Sequence, residues 1–146
     1  MLERFIFAVW FRGTKKAEST GFVRWRKTAA CALCCTGKEA DYYFLDEPTK
    51  GMDAKSKKLF GELLKEWTKM EKSIVMVSHD MEFTAKYADE ISLLYQGEII
   101  VQCPVREFME ENQFYTTGMN RVTRRVNPHI ITIEDVKKYA KRKNSQ

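Results

Sequence analysis

Residues Tyr42 to Thr49 read Tyr-Tyr-Phe-Leu-Asp-Glu-Pro-Thr, four apolar or aromatic residues running straight into two adjacent carboxylates. An apolar run of this length, closed at once by Pro48, predicts a buried parallel strand that ends at the acids. Open α/β sheets place their ligands beyond the carboxyl ends of such strands, which makes Asp46 and Glu47 candidate site residues. One carboxylate can hold a hard divalent cation or its water while its neighbour orients an attacking water. A Mg²⁺-nucleotide site needs both roles. The same residues would also suit a solvated turn after an ordinary strand, so the flanking sequence has to decide.

Gly51-Met52-Asp53 follows directly, and the next apolar run, Ile74 to Val77, ends in Ser78-His79-Asp80. Strand, helix and strand predict a βαβ unit whose two carboxyl ends lie side by side, bringing His79 next to the acids. With these three motifs in order, the chain resembles the ATP-binding cassette (ABC) ATPases. Phe44-Leu45-Asp46-Glu47 resembles their Walker B strand, Gly51-Met52-Asp53 their D-loop and Ser78-His79-Asp80 their switch histidine. The resemblance implies an α/β fold: part of a P-loop NTPase sheet, mostly parallel, with flanking helices and a C-terminal helical extension. It implies ATP and Mg²⁺ as cofactors, with Asp46 supporting Mg²⁺ through water, Glu47 as general base, His79 on the γ-phosphate and Asp53 at the interface between two ATPase subunits.

The chain has 146 residues, enough for one modest domain, and at 44% hydrophobic composition it can build a core. It is short for a whole ABC ATPase domain. No apolar stretch approaches the span of a membrane helix, and Met1 to Trp10, which carries Glu3 and Arg4, lacks a clean signal-peptide pattern. The net charge of +5 is confined to one end: residues 1–40 hold eight Lys/Arg against three Asp/Glu, while residues 41–146 hold seventeen of each. That distribution argues against a nucleic-acid partner. Cys31, Cys34, Cys35, Trp10 and Trp25 also fall in the first forty residues, so composition changes near residue 40.

Residues 1–40 show no sustained helical or strand period. Cys31 and Cys34 have a C-x-x-C spacing without a second Cys/His pair to complete a zinc site. Gly37-Lys38 is a poor phosphate loop, with Glu39 in the Ser/Thr place and Ala32 where the first glycine belongs. The family signature, Leu-Ser-Gly-Gly-Gln/Glu, should stand well before the Walker B acids, and its place holds Phe22-Val23-Arg24-Trp25-Arg26. Phe22 to Thr28 can be encoded TTT GTC CGG TGG CGA AAA ACA. Read one nucleotide later, with a G from Ala29, that stretch spells Leu-Ser-Gly-Gly-Glu-Lys-Gln. The single codon of Trp25 allows no freedom, and it supplies the second glycine. Residues 1–40 are therefore expected to be an aberrant, frameshifted and poorly structured segment. Residues 41–111 are read as the C-terminal part of an ABC ATPase domain, and 112–146 as a C-terminal extension.

From Asp41 onward the local signals agree. Asp53 can cap a helix over Ala54 to Met70, with Leu59, Leu63, Leu64 and Trp67 on its apolar face and Lys55, Lys57, Lys58 and Lys65 on its wet face. Ser73 to Ser78 reads as the second strand and Met81 to Tyr87 as a short helix. A hairpin of Asp89 to Tyr95 and Glu98 to Cys103 turns on Gln96-Gly97. Cys103 reads as a buried thiol, and Val105 to Glu111 as a helix with Phe108 and Met109 inward. Thr132 and Asp135 form a capping pair for a last helix reaching about Arg142, whose basic end is a solvated face. His129, after Pro128, reads as a loop residue. Phe114-Tyr115-Thr116-Thr117 and Thr132-Ile133-Glu134-Asp135-Val136 resemble the extension of the energy-coupling-factor branch of the family, which drives uptake of vitamins and metal ions.

The chain is thus expected to be a truncated ATPase subunit of a membrane transporter, inactive alone because no phosphate loop and no intact signature stand in its sequence. Its expected partners are a second ABC ATPase subunit and a transmembrane transporter subunit, and its expected place is the cytoplasmic face of the cell membrane. Two other readings remain. One is a catalytically dead interaction module docking on a partner ATPase. The other is a fragment of a DNA-repair ATPase of the same superfamily, whose long heptad coiled coil this sequence does not show.

Overall fold

The computed structural model describes residues 6–11, 22–26 and 40–143. Among the described residues, six strands form one sheet: β1 (Ile6–Phe11), β2 (Phe22–Arg26), β3 (Tyr42–Asp46), β4 (Ser73–Val77), β5 (Glu90–Tyr95) and β6 (Glu98–Pro104), in the spatial order β2-β3-β4-β1-β5-β6. Five helices accompany them among the described residues: α1 (Ala54–Lys69), α2 (Met81–Tyr87), α3 (Val105–Glu111), α4 (Gly118–Thr123) and α5 (Ile133–Lys143). The fold is α/β, as the sequence implies.

The sheet is mixed, and the expectation of a mostly parallel one is corrected. Strands β2, β3 and β4 run parallel, but β1 is antiparallel to both β4 and β5, and β5 and β6 form an antiparallel hairpin. The hairpin could not be otherwise, because the two-residue Gln96-Gly97 loop has positive φ at both positions, a turn that reverses the chain in place. The direction of β1 has no such local cause. No strand period is legible in residues 6–11 or 22–26, yet both segments pair into the sheet, β1 in its interior. Cys31, Cys34, Cys35, Gly37 and Lys38 lie outside the described residues.

Registry sets the core. Leu45 pairs with Met76, Met76 with Val9 and Val9 with Ile91, so one row of apolar side chains crosses four strands. All four are buried, as are Tyr43 and Ile74 in the next row. The run Tyr42 to Leu45 is not buried on both faces: Tyr43 and Leu45 are inside, whereas Tyr42 and Phe44 are half-buried. Helix α1 covers the buried face through Phe60, Leu64 and Trp67, with the Trp67 ring stacked on Tyr43 at 4.4 Å between centroids. Leu59, expected on this face, is 58% exposed; Phe60 and Gly61 take the inner positions. Phe83 of α2 stacks on Phe60, joining the two helices.

Helix α1 ends one residue before the expected Met70. Glu71 has φ +62°, and the N–H groups of Glu71 and Lys72 donate to the carbonyls of Thr68 and Trp67, a left-handed cap that turns the chain into β4. In α3, Phe108 and Met109 are buried as expected. The last helix starts with the expected box: the Asp135 N–H donates to Thr132 Oγ1, and Asp135 Oδ2 accepts from the Thr132 N–H at 3.0 Å. Cys103 is half-buried, and desolvation, followed by the charges of Glu107 and Glu111, raises its thiol pKa. That disfavours the thiolate, the reactive form.

Candidate active site

Strands β3 and β4 are parallel and in register, Asp46 opposite Val77, so both chains leave the sheet at the same edge. The exits differ. After β3, Glu47 takes φ +47°, a left-handed conformation unusual for a residue with a long side chain, while its N–H still donates to Val77 O at 2.8 Å. This turns Glu47 back over the end of β4. After β4, Ser78 is fully buried and the chain emerges at His79.

The two side chains meet there. His79 Nε2 stands 3.5 Å from Glu47 Oε1, with the imidazole 57% exposed and the carboxyl 29% exposed. Glu47 Oε1 itself is buried and makes no hydrogen bond among the described residues. A buried carboxylate oxygen without a donor is unsatisfied and suits a ligand or water that brings a proton to it. Asp46 is exposed at the same strand end. Among the described residues, no cluster of three or more His, Cys, Asp or Glu side chains could hold a metal ion by itself. One or two carboxylate oxygens do suit Mg²⁺, which commonly completes its octahedron with water and substrate phosphates.

Asp53 is placed differently. Its Oδ1 accepts from the Ser56 N–H at 2.7 Å and caps α1, and this backbone bond, with the Ser56 side chain second, lowers the Asp53 pKa. The structure therefore gives Asp53 a helix-capping contact and leaves its carboxylate at the surface.

Lys57, expected on the wet face of α1, is instead half-buried and reaches across to α2. Its Nζ lies 2.5 Å from Asp80 Oδ2. Asp80 also accepts from the Phe83 N–H at 3.0 Å, capping α2, and its own N–H donates to Ser78 Oγ at 3.1 Å. Helical spacing had Lys57 among neighbouring lysines, and only the docking of α2 singles it out.

The sequence is similar to proteins named as ABC transporter ATP-binding proteins. Over 106 residues the chain is 43% identical to an ABC transporter ATP-binding protein of Bacillus thuringiensis, a match covering 72% of this chain and 19% of that protein. The chain is homologous to the ABC transporter ATP-binding proteins. An ABC transporter ATP-binding protein of Clostridium tetani is 30% identical over 105 residues, covering 23% of its length. An energy-coupling factor transporter ATP-binding protein of Staphylococcus saprophyticus is 34% identical over 77 residues, 52% of this chain and 27% of the relative. The chain thus spans about a fifth to a quarter of these ABC transporter relatives. No family model matches it. No helix among the described residues is long and apolar enough to cross a membrane.

Proposed function

We propose that residues 41–111 are the Walker B, D-loop and switch half of an ABC transporter ATPase of the energy-coupling-factor type, with 112–146 as its C-terminal extension. The observation that carries this reading is the approach of His79 Nε2 to the buried, unsatisfied Glu47 Oε1 at 3.5 Å, at the edge where two parallel strands end. In the reading, Glu47 Oε1 orients an attacking water and accepts its proton, and His79 contacts the γ-phosphate side of the same water. Asp46, exposed beside Glu47, holds a Mg²⁺ through water. The ion supplies neutralisation of charge developing on the transferred phosphoryl group. Asp53 lies at the rim that faces a second ATPase subunit, and the pair works on the cytoplasmic face of a membrane with a transmembrane transporter subunit.

The 146 residues contain no Gly-x₄-Gly-Lys-Ser/Thr phosphate loop, and Arg24 and Trp25 stand where the signature glycines belong. Backbone amides and a lysine normally cradle the phosphates, and nothing in this sequence replaces them. The chain alone is therefore inactive, and its first forty residues are read as an out-of-frame translation of the signature region. Genomic codons for positions 22–28 that cannot spell Leu-Ser-Gly-Gly-Glu in either alternative frame would overturn the frameshift.

The site itself is tested by a chimera. Residues 41–143 replace the homologous segment of the Bacillus thuringiensis protein, which supplies the rest of the ATPase. The chimera should hydrolyse ATP, and Glu47→Gln within it should lower kcat by about 10²–10⁴-fold, the range for losing a general base. An active chimera indifferent to Glu47→Gln would sink the assignment. Turnover by the isolated 146-residue chain that vanishes in Glu47→Gln would instead show that it needs no phosphate loop.

A further inference from the structure

The alternation of β4 carries past its last strand residue: Ile74, Met76 and Ser78 are buried, while Val75 and Val77 are half-buried. Ile74 and Met76 fill their positions with apolar volume, and Ser78, no less buried, puts a hydroxyl in the same row. A buried hydroxyl is costly unless it is bonded. Ser78 Oγ accepts from the Asp80 N–H at 3.1 Å, a serine turn that spans His79. On its far side the turn runs into α2: the Met81 N–H donates to His79 O at 3.1 Å, the Phe83 N–H to Asp80 Oδ1 at 3.0 Å and the Thr84 N–H to Asp80 O at 2.9 Å. On its near side the Val77 carbonyl accepts from the Glu47 N–H at 2.8 Å, so the peptide that leads into Ser78 also holds the backbone of Glu47.

We infer that Ser78 is a positioning residue for His79: its hydroxyl closes the turn from β4 into α2 and so sets where the imidazole leaves the backbone relative to Glu47. The inference rests on the reading of Glu47 and His79 as the working pair, and it gives Ser78 no contact with nucleotide. Val77 is tied to β3 by the ladder, opposite Asp46, and Asp80 is tied to α2 as its cap. Ser78 and His79 bridge those two anchors, and the bond from the Asp80 N–H to Ser78 Oγ fixes the path between them. Other contacts of the imidazole act on its rotamer, whereas the turn acts on the Cα–Cβ bond from which every rotamer starts. An apolar residue at position 78 would continue the buried row of Ile74 and Met76 but would take the side-chain acceptor from the Asp80 N–H. The hydroxyl serves the turn rather than the core.

The chain has two histidines, so histidine-selective ¹³C labelling of the full protein gives two imidazole signals, His79 and His129. His129 Nδ1 sits 2.8 Å from Glu110 Oε2 and serves as an internal control. In the wild type a nuclear Overhauser contact should join the His79 ring to the Glu47 side-chain protons, as the 3.5 Å approach requires. Ser78→Ala should abolish it while leaving the His129 signal and the Trp67–Tyr43 ring contacts in place. Ser78→Thr, which keeps the acceptor oxygen, should retain it. In the chimera, Ser78→Ala should lower kcat by about 10–100-fold with the KM for ATP nearly unchanged, the effect of a misplaced group. Added to His79→Ala it should cost less than about twofold more, because it acts through a residue already removed. A His79–Glu47 contact that survives Ser78→Ala, or that Ser78→Thr also loses, overturns the inference. So does a loss of the Trp67–Tyr43 contacts in Ser78→Ala, which would make Ser78 a packing residue, or a full further loss of kcat in the His79→Ala background. The resonance measurement contains no ATP, so its failure is distinct from that of a chimera whose activity ignores Glu47.

Discussion

The N–H of Glu47 donates to the carbonyl of Val77 at 2.8 Å although Glu47 itself has left the strand with φ +47°. A left-handed backbone at a non-glycine residue is unfavourable, and asparagine tolerates it better than glutamate. Such conformations concentrate at functional sites, where the side chain matters more than the strain. Glu47→Asn should leave the fold intact and raise stability by up to about 1 kcal/mol in urea denaturation. It should also remove activity from the chimera. A loss of stability would mean that the Glu47 side chain, with its unsatisfied Oε1, supports the fold after all.

Gly61 of α1 faces the Tyr87 ring of α2, and a Cβ there would stand 2.5 Å from it. The gain in helix propensity from alanine is outweighed, because an aromatic ring in a packed α1–α2 contact cannot yield that far without displacing Phe83, its neighbour at 4.8 Å. Gly61→Ala should destabilise by about 1–3 kcal/mol. Chemical denaturation with an unchanged m-value checks this.

Thr117 joins α4 to the chain segment just before α5. Its hydroxyl, fully buried, donates to Ile131 O at 2.7 Å and accepts from the Asn120 N–H at 3.1 Å. Thr117→Val keeps the shape and deletes both bonds, leaving a carbonyl and a helix-cap N–H without partners. The expected cost is about 2 kcal/mol. Thr117→Ser should recover most of it.

Asp135 ties α5 to the preceding segment and to α3. Its burial would raise the pKa, but hydrogen bonds from the Thr132 side chain, the Ile131 and Thr132 N–H groups and Arg106 lower it on balance. A depressed folded pKa means the contribution is complete above the ordinary aspartate range and is lost as pH falls below about 4. The protection factors of amides in Ile133–Lys143 should therefore fall first on acidification. In Asp135→Asn they should already be low at neutral pH and change little with acid.

Arg106 brackets the same region, donating to His129 O and Asp135 Oδ1, both at 3.0 Å, and to Asp135 Oδ2 at 3.2 Å. Its guanidinium satisfies a carbonyl and a carboxylate at once, a geometry an ammonium cannot reproduce. Arg106→Lys should lose nearly as much α5 protection as Arg106→Ala, about 1 kcal/mol after allowing for its exposure. Full protection in Arg106→Lys would show that charge alone suffices.

Residues whose environment is their own chain neighbourhood were readable without a structure. The strand stopped by Pro48, the cap at Asp53, the Gln96-Gly97 turn and the Thr132–Asp135 box each depend on contacts within a few residues, and all stand where the sequence places them. The meeting of Glu47 with His79 was also legible, because a βαβ crossover has one hand and brings its strand ends to one edge. What tertiary structure alone decided is non-local. The direction of β1 follows from which strand fills the space between β4 and β5, and no local signal in residues 6–11 specifies it. Phe60 replaces Leu59 in the core because the azimuth of α1 is set by the Trp67–Tyr43 and Phe60–Phe83 stacks, which a small rotation would break. Lys57 is paired with Asp80 for the same reason. A helical wheel gives every surface lysine the same solvent, and only the acid brought over by α2 distinguishes one from the rest.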